Sequence, residues 1–71
     1  MENIGQLIKV KLKEQDKTVS WFAEQMCCSR TNAYKIFERQ SMNTDDLVRI
    51  SSILKYNFFE PYYTKVKKMI K

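Results

Sequence analysis

Three observations predict an all-α fold. Apolar residues recur at three- and four-residue intervals along nearly the whole chain. Residues suited to opening a helix (Asn3, Thr18, Ser29 and Thr44) stand just ahead of those runs. One Gly and one Pro leave too little turn chemistry for a multi-stranded sheet. A chain of 71 residues makes one small domain, in which roughly 60% of the unfolded surface is buried. With no cysteine framework and no His, helix-on-helix packing must supply the core. The expectation is a compact bundle of four to five short helices.

The first helix runs from about Ile4 to Gln15, with Ile4, Leu7, Ile8 and Leu12 on one face and Lys9, Lys11 and Lys13 mostly off it. Asn3 is its cap, and Gln6 three residues on makes a partial capping box. The second starts after Thr18, and Val19, Phe22, Ala23 and Met26 follow the helical i, i+3, i+4, i+7 rule. Ser29 then caps a third helix that buries Ala33, Ile36 and Phe37, with Cys28 and Ala33 placed for a hydrophobic staple. A polar stretch from Arg39 to Asn43 leads to Thr44, where the fourth helix begins. Asp45 and Asp46 there suit the positive end of a helix dipole. Leu47, Ile50 and Leu54 form the inner face of this fourth helix, and Lys55-Tyr56-Asn57 ends it. Pro61 suits the first turn of a fifth, with Tyr62, Val66, Met69 and Ile70 on one side and Lys65, Lys67, Lys68 and Lys71 on the other. Residues 1–60 thus read as the main domain and 61–71 as a basic amphipathic helix, a candidate dimerisation element.

Charge and composition narrow the function. Thirteen Lys and Arg against eight Asp and Glu give a net charge of +5, which favours polyanionic partners. No apolar run approaches the roughly 20 residues that span a bilayer, and the start of the chain lacks the basic and apolar regions of a signal peptide. Cys27 and Cys28 are adjacent and fit a reducing cytoplasm. They read as small buried residues of a turn rather than as a redox switch. There is no His, no Gly-rich phosphate loop and no nucleophile with an evident base, so no enzyme, cofactor or metal is expected.

The second and third helices are separated by only three or four residues. Two helices joined so tightly cross steeply, and the second is held out as a rigid rod, the device that enters the DNA major groove in helix-turn-helix proteins. From Ile4 to about Phe59 the chain resembles the lambda-repressor-like helix-turn-helix domain, the XRE family. The resemblance lies in Phe22-Ala23, Met26, the Cys-Cys turn, Ser29-Arg30 and Ile36, where members carry Leu-Ala, then Leu-Gly-Val-Ser, then a short recognition helix. Leu47-Val48-Arg49-Ile50 resembles the Leu-Leu-Lys-Ile of the family's fourth helix. Three positions depart from the pattern: Cys27 and Lys55 stand where Gly is usual, and Val19 where Gln is common.

The resemblance implies sequence-specific binding of double-stranded DNA by a small transcriptional regulator, with residues 29–38 as the recognition helix. Arg30, Thr31 and Lys35, together with Asn32 and Tyr34, are the expected base readers. Arg or Lys suits guanine O6 and N7, and Asn suits adenine N6 and N7. Thr18 and Ser20, with Arg39, Gln40, Ser41 and Asn43, are the expected phosphate-positioning groups. Glu38 repels phosphate unless it meets cytosine N4 or pairs with Arg39 or Lys35. Two copies on half-sites about 10 bp apart are expected, as a repressor. Trp21, Tyr62, Tyr63, Val66, Met69 and Ile70 form the candidate surface for a second copy or a protein partner. The alternative is an interaction module, antitoxin-like or adaptor, on the same fold with DNA reading weakened or lost. Membrane binding by the basic end ranks last.

Overall fold

The computed structural model describes residues 3–70. Those residues form five helices and no strand: α1 (Ile4–Glu14), α2 (Val19–Gln25), α3 (Arg30–Phe37), α4 (Thr44–Leu54) and α5 (Glu60–Ile70). The core draws on Ile4, Ile8 and Leu12 of α1, Phe22, Ala23 and Met26 from α2 and its cap, and Ala33, Ile36 and Phe37 of α3. Leu47, Ile50 and Leu54 of α4 and Phe58 complete it. Every inner-face residue named from the spacing of α2, α3 and α4 is therefore buried or packed on the core. Leu7 and Val19 are half-buried at its margin. Phe22 and Phe37 stack at 5.6 Å across the α2–α3 contact.

Helix entries are set by side chains. Asn3 Oδ1, Thr18 Oγ1 and Ser29 Oγ each accept from the backbone N–H three residues on, at 2.8, 3.0 and 3.2 Å. The fourth cap is Asn43. Asn43 Oδ1 accepts from Asp46 N–H at 2.8 Å, and Thr44 is the first helical residue. Asn is the better cap of the two, because its planar carbonyl reaches the third N–H without the bulk of a β-branch. The capping box at Asn3 is one-sided for a tertiary reason. The Gln6 side chain does not turn back to accept from the Asn3 N–H; its Nε2 donates to the Phe37 carbonyl at 2.9 Å instead. α5 opens at Glu60, one residue ahead of Pro61, which costs nothing because N–H groups in the first turn have no intrahelical partner.

Three non-Gly residues adopt left-handed backbone: Asp16 (φ 57°), Cys27 (φ 56°) and Lys55 (φ 52°). Cys27 and Lys55 are the two positions where Gly had been expected, so the backbone turns as a Gly would while a side chain bears roughly 1–2 kcal/mol of strain. The turn at Cys27 also overturns the expectation of two buried thiols. Cys27 is exposed and Cys28 half-buried, because left-handed geometry just after a helix carries Cβ away from the core.

The chain's one glycine marks a close backbone approach between α1 and the end of α3. Gly5 is buried, and a Cβ there would lie 2.5 Å from the carbonyl oxygens of Ile36 and Phe37. Its N–H donates to the Arg39 carbonyl at 3.0 Å. One free N–H at the start of α1 thus meets a carbonyl just past the end of α3. At the other end of α1, Gln15 Nε2 donates to the Leu54 carbonyl at 2.7 Å, closing the end of α4. Lys11 Nζ lies 4.5 Å from the centroid of the Tyr56 ring, a further tie between α1 and the segment after α4.

α5 joins this arrangement only at its start: Tyr62 packs half-buried against the core, and none of the helix's residues is fully buried. The described residues extend 41 × 20 × 20 Å. The bundle is therefore compact through α4 and Phe58, and α5 projects from it.

Candidate nucleic-acid interface

Burial of Ala33, Ile36 and Phe37 fixes which side of α3 faces outward. Arg30, Thr31, Asn32, Tyr34 and Lys35 are all exposed, as the sequence reading expected, and so is Glu38 at the C-cap. Tyr34 rests edge-on against Phe37 at 6.1 Å between centroids, so its ring is braced while its hydroxyl end stays in solvent. Ion pairs among the described residues are Lys11–Glu14 and Arg39–Asp46, so Arg30 and Lys35 carry unneutralised charge. Glu38 pairs with neither Lys35 nor Arg39. The Arg39 guanidinium goes instead to Asp46 at 3.6 Å.

α3 is held from two sides. α2 packs along it through the Phe22–Phe37 stack, and the start of α1 grips its far end through Gly5 and Gln6. The four residues between Gln25 and Arg30 include Met26, which is buried, so the turn is anchored to the core and α3 cannot swing independently. Gly5 and Gln6 escaped the sequence reading of the site. The available signal was a lone Gly within the apolar face of α1, at Ile4, Gly5, Ile8 and Leu12, where a small residue marks a backbone contact.

The expected phosphate-positioning groups divide. Thr18 Oγ1 is spent as a cap acceptor toward Trp21 N–H, but its hydroxyl can still donate, and the residue is exposed. Ser20, Gln40 and Ser41 are exposed. Arg39 is in a long, half-exposed pair worth about 0–1 kcal/mol, which a phosphate can replace. Asn43 is the least free, since its amide both accepts from Asp46 N–H and donates to Asp46 Oδ2 at 3.1 Å. Arg39, Asn43 and Asp46 therefore form one small polar cluster where the α3–α4 loop meets α4.

Of the candidate partner surface, Trp21 is half-buried against the core with Lys17 Nζ 5.0 Å from its ring centroid. Tyr62 is half-buried, and Tyr63, Val66, Met69 and Ile70 are exposed. Lys71 lies outside the described residues. No helix among those residues is long and apolar enough to cross a membrane. No protein-family model, curated protein or solved structure matches the chain.

Proposed function

We propose that the chain is a sequence-specific double-stranded DNA-binding protein of the lambda-repressor-like helix-turn-helix type, acting as a small transcriptional regulator with α3 in the major groove. The observation that carries this reading is the outward face of α3. It holds five polar or aromatic side chains on a helix fixed from both sides, with two free cations among them. An α-helix with its side chains is about 10–12 Å across, which fits the roughly 12 Å width of the major groove, and α3 has two turns to lay along it. Left-handed backbone at Cys27 and Lys55 adds support, because these are the positions at which the family pattern calls for Gly.

Arg30 and Lys35 are the charged base readers, Asn32 and Thr31 the polar ones, and Tyr34 a braced ring for a thymine methyl or sugar edge. Ser20, Gln40 and Ser41, the Thr18 hydroxyl and Arg39 released from Asp46 position the phosphates. Two adjacent unbonded thiols agree with a reducing, cytoplasmic setting.

Selection from a randomised duplex library at two salt concentrations tests the reading. The expected result is an enriched consensus, single or paired about 10 bp apart. Lys35→Ala or Arg30→Ala then lowers affinity for it by about 5- to 150-fold. Enrichment of no sequence, with only salt-labile general binding, would overturn the proposal. The rival, an interaction module without DNA reading, is favoured at one position: Val19 is packed on the core margin and offers no polar group where relatives of the family carry Gln.

A further inference from the structure

α5 exposes an apolar face that the rest of the chain does not cover. Tyr63, Val66, Met69 and Ile70 are 66, 50, 75 and 74% exposed. At about 100° per residue these four share one arc, roughly 120° wide, along about two turns. Tyr63, Val66 and Ile70 line a shallow depression together with Lys67. A contiguous apolar face on a small charged domain is the signature of an interaction site.

The rim of that face selects its occupant. Lys65 lies about 40° beyond one edge of the arc and Lys67 about 40° beyond the other. No acidic residue follows Glu60 along the helix. A second copy of the chain is disfavoured in either orientation. In a parallel pair the Lys65 edge of one copy meets the Lys67 edge of the other, and in an antiparallel pair each edge meets itself. Like charges so placed suppress the pairing. A lipid surface rewards inserted apolar area, of which about two turns with four exposed apolar side chains offer little.

We propose that α5 docks into an apolar groove of a partner protein whose rim is acidic, with Tyr63, Val66, Met69 and Ile70 in the groove and Lys65 and Lys67 against carboxylates on its two sides. The docking surface is separate from α3 and independent of DNA reading.

The test uses the full chain and two synthetic amphipathic helical peptides with the same leucine seam, one flanked by Glu and the other by Lys. Fluorescence anisotropy reads binding of each labelled peptide. The Glu-flanked peptide is expected to bind and the Lys-flanked one not. Raising salt above about 0.3 M weakens the complex by tenfold or more. Val66→Ser with Ile70→Ser abolishes it, and both positions are exposed, so an unchanged melting temperature will show that the fold is intact. Lys65→Glu with Lys67→Glu exchanges the preference, losing the Glu-flanked peptide and gaining the Lys-flanked one. Equal binding of both peptides, or no exchange on charge reversal, overturns the proposal. So does sedimentation equilibrium showing a dimer that Ile70→Ser dissolves, which would make a second copy the occupant. Binding to phosphatidylcholine–phosphatidylserine vesicles with no binding to either peptide would assign the face to lipid, and overturn it equally.

Discussion

Replacing Gly5 by alanine sets two opposing effects in competition. On an isolated helix the change stabilises by about 1 kcal/mol, since Ala surrenders less backbone entropy than Gly. In this fold the new methyl would sit 2.5 Å from the carbonyl oxygens of Ile36 and Phe37 and 2.6 Å from the Phe37 carbonyl carbon. Ordinary contact begins near 3.4 Å, so about 0.9 Å must be recovered. Both obstructing groups are backbone, in the last turn of α3, and cannot rotate aside. Overpacking costs about 1–3 kcal/mol or more. Parting the helices also loosens Gly5 N–H to Arg39 and Gln6 Nε2 to Phe37, each worth about 1 kcal/mol. The expected net loss is about 2–4 kcal/mol, from a total that domains of this size hold at about 4–11 kcal/mol. The melting temperature should fall by about 8–30 °C. Urea and thermal unfolding followed by circular dichroism at the helical band measure both quantities. A melting temperature unchanged or raised would mean that helix propensity governs position 5, and the close α1–α3 contact would be refuted.

Further outcomes follow from the caps and the strained turns. Asn43→Ala should cost about 1 kcal/mol in urea unfolding, and Thr44→Ala only a few tenths, because Asn43 alone satisfies the Asp46 N–H. Cys27→Gly should raise stability by about 0.5–1 kcal/mol, the relieved left-handed strain less the entropy that Gly adds to the unfolded chain. In the folded parent chain Cys27 should react with an aromatic disulfide reagent well ahead of Cys28, and equal rates would contradict their different exposure. Gln15→Ala should cost about 1 kcal/mol by freeing the Leu54 carbonyl, detected as faster amide exchange at the ends of α1 and α4.

What was legible in the chain was what depends on neighbours in sequence. Caps at Asn3, Thr18 and Ser29 bond three residues ahead, and inner faces repeat every three or four, so both can be read locally. Asn43 and Thr44 are adjacent and both able to cap, so the choice between them lay in backbone geometry that the letters do not carry. The grip of Gly5 and Gln6 on α3 joins residues more than thirty apart and has no local pattern. Burial of cysteine is a statistical tendency, and it failed at Cys27 where a left-handed backbone overrode it. The exposed side of α3 followed directly once Ala33, Ile36 and Phe37 were assigned inward. For α5 the two faces were legible, but not that only its first turn, through Tyr62, would touch the core.

The ties at both ends of α1 bear on how the chain comes off the ribosome. Its partners are the end of α3 and the Leu54 carbonyl, the latter 39 residues downstream of Gln15. At about 5–20 residues per second, α1 emerges roughly 2–8 s before Leu54 is available. An eleven-residue segment has little helicity alone in water. Until α3 and then Leu54 follow, Ile4, Leu7, Ile8 and Leu12 are an unpaired greasy tract in the nascent chain. The lysines at 9, 11 and 13 interrupt that tract with charge at alternate positions, the arrangement that discourages strand-like aggregation. The same side chains that colour the surface of the finished helix thus guard the segment while it waits.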